Sequence, residues 1–286
     1  MTRPCAVFKF TFASFLYVAA AAAAQAQFPG FDRNDYPGDA ALPALRQSFR
    51  YTSYWLNPPP GESTNSWSGK HAILKQQGFG FLVLFTGRTD AQLKGQDAAV
   101  LGQSDANTAV AAALHEGFPR GVLIFLDQEE GGRLLPEQAV YVFAWIDAVR
   151  AAGARAGVYC SGIEAIDASG TTSTAEDILA RETARHADRA TNERHRKVAL
   201  WIADDACPPA PGCTLAAPPM TSLSAHLRPF ATVWQYAQSP RRAQFSANCP
   251  KNTAADGNCY APGLPPGANS FVDLDTALSP DPSSGR

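Results

Sequence analysis

The chain has 286 residues, 45% of them hydrophobic, which is enough to build a core and too many for a disordered polypeptide. Its 24 Lys and Arg nearly balance its 26 Asp and Glu, with no run of like charge. That balance excludes the basic footprint that a nucleic acid or an anionic membrane surface would require.

Residues 1–26 read separately from the rest. Arg3 and Lys9 give a positive start, Thr11 to Ala24 an apolar stretch, and Ala24-Gln25-Ala26 a small-x-small cleavage site, the pattern of a secretory signal peptide. An uncleaved membrane anchor is the competing reading, but the apolar run falls short of the roughly 20 residues a span needs. The expected protein is therefore secreted or periplasmic, a monomer of residues 27–286 with no stable membrane span.

From Phe28 onward, short β-rich apolar runs alternate with helical stretches. Strands are predicted at 30–32, 49–56, 79–85, 121–127, 154–160, 198–203, 231–236 and 270–274. Helical spacing or composition occupies 39–47, 68–77, 91–116, 136–152, 174–190 and 220–227. Pro136 suits the first turn of its helix and Gly153 the position just past its end. The run Val122-Leu123-Ile124-Phe125-Leu126 is apolar without alternation, as expected where a parallel strand is buried on both faces. Eight strands with helical crossovers predict a single α/β domain, a (β/α)8 TIM-type barrel. An open doubly wound sheet is the alternative, but Gly30-Phe31-Asp32 lacks the glycine-rich phosphate loop such a sheet would carry after its first strand.

The chain has six cysteines, of which Cys5 leaves with the signal peptide. Cys207 and Cys213 sit in one Pro-rich loop, Cys249 and Cys259 in another, so two short-range bridges tying long rim loops are expected, although four cysteines permit three pairings. A metal site is the alternative, disfavoured because neither pair has CxxC spacing. Cys160 is then the spare thiol. The five histidines never pair at ligand spacing on a strand end, and no HExxH or GxSxG occurs, so neither metal nor cofactor is expected.

In a barrel, catalysis gathers where strands end at their C-terminal rim. Those ends offer Asp32, then Asp127 and Glu129, then Asp204 and Asp205, then Gln235 and Tyr236, then Asp273 and Asp275. Residues two apart on a strand share a face roughly 7 Å apart, so Asp127 and Glu129 both reach the mouth. A carboxylate neighbour and apolar surroundings raise a carboxyl pKa, which keeps one of the pair protonated for transfer to a leaving oxygen. Glu129, with the longer side chain, is the candidate acid. Asp32 and Asp273 should adjoin where the first and eighth strands close the barrel, opposite the fourth strand, giving glycosidic cleavage its two walls. Helix capping or strand termination is the competing role for each Asp.

Tyr36, Tyr54, Trp55, Trp67, Tyr159, Trp201, Trp234 and Tyr236 fall at or near strand ends, where aromatic faces stack on sugar rings. Core aromatics with a hydrogen-bonded tip are the alternative, above all for Tyr159. The residues expected to bind substrate are Tyr36, Tyr54, Trp55, Trp201, Asp204, Gln235 and Tyr236.

The order of four motifs, Gly30-Phe31-Asp32, Phe125-Leu126-Asp127-Gln128-Glu129, Trp234-Gln235-Tyr236 and Val272-Asp273-Leu274-Asp275, resembles glycoside hydrolase family 25, the Chalaropsis-type lysozymes. Phe31-Asp32-Arg33-Asn34-Asp35-Tyr36-Pro37-Gly38 and Tyr54-Trp55-Leu56-Asn57-Pro58-Pro59-Pro60-Gly61 resemble more closely a secreted bacterial relative, the glycoside-hydrolase-like domain of unknown function 1906. The resemblance implies Glu129 as general acid tuned by Asp127, Asp32 and Asp273 on the opposite wall, and peptidoglycan or a related glycan as partner. A non-catalytic glycan-binding barrel is the alternative function.

Overall fold

Eight strands close on themselves in the order β1-β10-β9-β8-β5-β4-β3-β2, around a core of interdigitated aromatic and branched side chains. The structure is a computed structural model that describes residues 26–186, 197–204, 217–238 and 272–286. The barrel strands are β1 (Phe28–Asp32), β2 (Tyr51–Trp55), β3 (Gly80–Thr86), β4 (Leu123–Gln128), β5 (Arg155–Ser161), β8 (Ala199–Ala203), β9 (Ala231–Ala237) and β10 (Asp273–Ala277). β6 (Ala165–Asp167) and β7 (Gly170–Thr172) form a separate two-stranded hairpin that follows β5. Cys207, Cys213, Cys249 and Cys259, together with nearly all of the N-terminal export pattern, lie outside the described residues.

The fold is mixed α/β with a closed eight-stranded barrel, but it is not parallel throughout. β10 runs antiparallel to both β1 and β9, whereas the other neighbours pair in parallel. Its span also lies three residues later than predicted. The alternation of Asp273, Leu274 and Asp275 has period two, which is the same in either direction and so carries no information on strand sense.

The helices follow the expected order with two changes. The stretch predicted at 91–116 divides into α3 (Asp90–Leu93) and α4 (Ala98–His115), because Gly95 turns the chain at φ +72°. Each half then starts on its own cap: Thr89 and Gln92 form a capping box, and the Asp97 side chain accepts from the Val100 N–H. The helix predicted at 220–227 is only a 3-10 turn at Met220–Ser222. There Thr221, Ser222 and Ser224 offer the backbone side-chain hydrogen bonds that compete with a helix. Helices α1 (Leu42–Ser48), α2 (His71–Gln76), α5 (Pro136–Ala151) and α6 (Thr174–His186) complete the outer layer. No helix among the described residues is long and apolar enough to cross a membrane.

Residues 280–285 seal the end of the barrel away from the acidic rim. The backbone N–H of Val83 donates to Ser283 Oγ at 3.0 Å, and Leu123 N–H donates to the Ser283 carbonyl at 2.9 Å. Asp281 Oδ1 accepts from Phe81 N–H at 2.9 Å. This segment thereby bridges β3 and β4 below the point where they pair directly, from Val83 and Ile124 upward.

Candidate active site

The acidic rim is assembled by alternation and register. On β4 the apolar run ends in Asp127, and Glu129 follows just past the strand on the same face. Glu130 is drawn off to the outside, where it accepts from the Asp90 backbone N–H at 2.9 Å and from the Gln138 amide, so Glu129 alone of the pair faces the mouth. On the far wall Asp32 pairs in register with Asp273, and Gly30 with Asp275. Because β10 is reversed, Asp273 occupies the mouth as the first residue of its strand instead of the last. β10 and β4 stand diametrically opposed in the closed order. Between them lies an open cavity of about 460 Å³ whose lining includes Asp32, Asp127, Glu129 and Asp273.

Beneath Asp32 the site is rigidly hydrogen-bonded. Gln235 Nε2 donates to Asp32 Oδ2 at 2.8 Å, while Gln235 Oε1 accepts from the Tyr159 hydroxyl at 3.0 Å and from Gln238 Nε2 at 2.8 Å. Two donors on one end of the amide and an acceptor on the other fix its orientation. Trp201 Nε1 donates to Asp275 Oδ1 at 3.0 Å, and the Trp201 ring meets the Tyr159 ring edge-on at 4.9 Å. Gly30 makes room for this layer: a Cβ there would sit 1.9 Å from the Tyr51 ring. The Tyr51 ring fills that space, fully buried, and Asp275 and Asp32 act on its hydroxyl.

Burial dominates the electrostatics. It pushes the Asp32 carboxyl up to about 6, against the Gln235 hydrogen bond that pulls it down, with the Glu129 charge adding to the rise. Asp127 is raised well above the ordinary carboxylate value by burial, then by Glu129 and Asp32. Asp275 is raised by burial and by the facing Asp32. Asp275 Oδ2 meets no donor with a fixed hydrogen; the hydrogen bond linking it to Asp32 exists only while one of the two carboxyls holds a proton. Burial and mutual repulsion thus hold Asp32, Asp127 and Asp275 above the ordinary carboxylate range, the direction that favours keeping a proton for transfer to a leaving oxygen. Arg33 is the one cationic side chain among the described residues of the lining. Among the described residues no group of three His, Cys, Asp or Glu is arranged to hold a metal ion.

The structure brings together part of the set expected to bind substrate. Trp55 and Trp201 line the cavity, and Gln235 lies directly under Asp32. Tyr54 does not reach it: one residue before Trp55, it points to the outside of the barrel, donates to Glu116, and packs among Trp67, His71, Phe81 and Phe118. Tyr36 lies outside the lining, its hydroxyl donating to Asp39 Oδ1 at 2.7 Å and Lys70 over its ring. Tyr236, buried against Trp234, alternates with Gln235 and is absent from the cavity wall, as is Asp204, whose backbone is tied to β9. Tyr159, read as a core aromatic, is instead on the wall. Cys160 is buried and free, and burial raises its thiol pKa, which removes it as a nucleophile. Sequence reasoning missed Arg33, Asn34, Asp35, Leu84, Gln238 and Val272 on the cavity wall, and Tyr51 in the buried layer beneath it. Strand alternation would have flagged Tyr51, two residues on each side of Ser53 from Trp55 and on the same face.

The sequence pattern of the Rv2525c-like, glycoside hydrolase-like domain matches residues 49–239, well over half of the chain. The chain belongs to the Rv2525c-like glycoside hydrolase-like family. Two solved structures share this family member's fold. One is an uncharacterized protein of B. stearothermophilus, at 19% identity over 87% of this chain and 95% of that one, with a TM-score of 0.54. The other is the Mycobacterium tuberculosis Tat-secreted protein Rv2525c in complex with L-tartrate, at 13% identity over 90% and 97% of the two chains, with a TM-score of 0.51. The Clostridium perfringens spore cortex lytic enzyme SleM overlaps 88% of this chain and 68% of its own at 14% identity, with a TM-score of 0.49. No curated protein matches the chain in sequence.

Proposed function

We propose that this protein is an exported glycoside hydrolase that cleaves peptidoglycan or a related amino-sugar polymer. The observation that carries the reading is the placement of Asp127 and Glu129 on one wall of a single open cavity, across from Asp32 and Asp273. Glu129, exposed at the rim, gives its proton to the glycosidic oxygen as the bond from that oxygen to the anomeric carbon breaks. The electron-poor anomeric carbon is met from the other face by a carboxylate, or by the acetamido oxygen of the substrate itself. Water then completes the exchange, losing its proton to the Glu129 carboxylate and restoring the acid. Asp127 tunes Glu129 through their mutual repulsion. The half-buried Tyr159 ring gives a sugar an apolar face on the wall, braced edge-on by Trp201.

Residues 1–26 act as the export signal of this reading, and residues 27–286 as its one catalytic domain. Cys207, Cys213, Cys249 and Cys259 form two bridges in the oxidising compartment, checked by the mass change of the purified protein on reduction.

The deciding assay sets the purified protein and its Glu129→Gln variant on labelled peptidoglycan and on chitooligosaccharides. Release of new reducing ends by the parent, reduced at least about 100-fold in the variant, is the expected result. Retention of glycan by both with release by neither would instead assign a binding protein.

A further inference from the structure

We infer that a side chamber beside Glu129 seats the acetamido group of the sugar on the leaving side of the scissile bond. The inference rests on the glycosidase reading and specifies its substrate: a polymer whose leaving sugar is N-acetylated, recognised by Ser161, Ile163 and Ala203.

The chamber holds about 30 Å³ and shares Glu129, Tyr159 and Gln238 with the main cavity. Asp32, Asp127 and Asp273 line the main cavity alone. The anomeric carbon therefore belongs among those carboxyls and the bridging oxygen at Glu129, and the sugar that leaves continues past Glu129 towards the chamber. Register builds the chamber walls. Ser161 ends β5 two residues after Tyr159, on the same face, and pairs with Ala203 at the end of β8. Gly162 then keeps the chain close, since a Cβ there would stand 2.6 Å from Ile202, and Ile163 follows as the next wall.

Size and chemistry narrow the occupant. A volume of about 30 Å³ admits about two water-sized groups, at roughly 10–15 Å³ each, and excludes a whole sugar ring. Ile163 and Ala203 give the chamber an apolar side. Ser161 Oγ accepts from the Ile163 N–H at 3.1 Å, which fixes the hydroxyl and makes its own hydrogen the donor it offers to the chamber. Ser161 and Ile163 are both half-buried, so a ligand can reach them. An acetamido group ends in a methyl and a carbonyl oxygen side by side, one for the apolar side and one for the hydroxyl. Hydroxyl and hydroxymethyl groups end in oxygen, which leaves the apolar side unmatched, and an ammonium would set its charge against it.

The test uses two β-linked tetramers, each of three N-acetylglucosamine units followed at the reducing end by either N-acetylglucosamine or glucose, with release of that last sugar followed by mass. The parent is expected to show a kcat/KM at least about tenfold higher for release of N-acetylglucosamine, the effect of one carbonyl hydrogen bond and one buried methyl. Ala203→Val fills the chamber and Ser161→Ala removes its donor, so the preference should fall to within about twofold in the first and about threefold in the second. Urea unfolding checks that both variants fold, and damage that is merely structural slows both tetramers alike and leaves the ratio standing. No preference in the parent, or a preference that survives in both variants, overturns the inference and leaves the glycosidase reading in place. Release of neither terminal sugar by the parent overturns it too, and cleavage of labelled peptidoglycan then decides the glycosidase reading by itself.

Discussion

Asp32→Asn should stabilise the protein at alkaline pH while leaving it unchanged in acid. The Asp32 carboxyl rises from an ordinary value of 3.8 to about 6 on folding, chiefly because it is buried. A group raised in this way gives stability that is fully present below the unfolded pKa, here near pH 4, and lost as pH climbs through 6. At 1.36 kcal/mol per pH unit the loss amounts to about 3 kcal/mol by pH 8. Asn has the same shape and never ionises. Its carbonyl still accepts from Gln235 Nε2, and its amide faces Asp275, which lacks a donor on Oδ2. Urea or thermal unfolding at pH 4 and pH 8 measures the effect. The variant should match the parent at pH 4 and exceed it by about 3 kcal/mol at pH 8, a rise of roughly 6–12 °C in melting temperature for a chain of this size. Parallel pH profiles for the two proteins would refute the reasoning, because they would mean that Asp32 ionises on folding without cost. A stabilised but inactive variant is the trade expected where a site keeps strained charge for chemistry.

Gln235→Leu takes away the donor to Asp32 and the acceptor of the Tyr159 hydroxyl, so Asp32 should titrate above 6, read from the upward shift of the alkaline limb of the stability profile. Gly30→Ala places a methyl 1.9 Å from the Tyr51 ring and should cost about 1–3 kcal/mol in urea unfolding. Ser283→Ala leaves the buried Val83 N–H without an acceptor and should cost about 1–3 kcal/mol, with the rim carboxyls and any activity unchanged.

The strands that matter most were legible because burial on both faces writes itself as an unbroken apolar run, as in Val122 to Leu126 leading to Asp127. The rim carboxyls were legible for a related reason: Asp32, Asp127 and Glu129 interrupt apolar segments at the place where a strand must end. Tyr54 and Trp55 show what composition alone confuses. Adjacent residues of a strand point to opposite faces, so only one of the two can meet the cavity, and the structure assigns that place to Trp55. The sense of β10 was invisible because a two-residue period looks alike from either end. Gln238 was missed because it follows its strand with no pattern of its own. Its place in the site comes from Gln235 and Tyr159, brought to it from separate strands.

The sealing segment at 280–285 has a consequence for the order of assembly. β10 supplies the last seam of the barrel, between β9 and β1, and the residues just after it stitch the lower ends of β3 and β4. A nascent chain lacking 273–286 therefore exposes two raw sheet edges and cannot close. Closure must wait until residues 273–286 have joined the rest of the fold, and the barrel forms late and all at once.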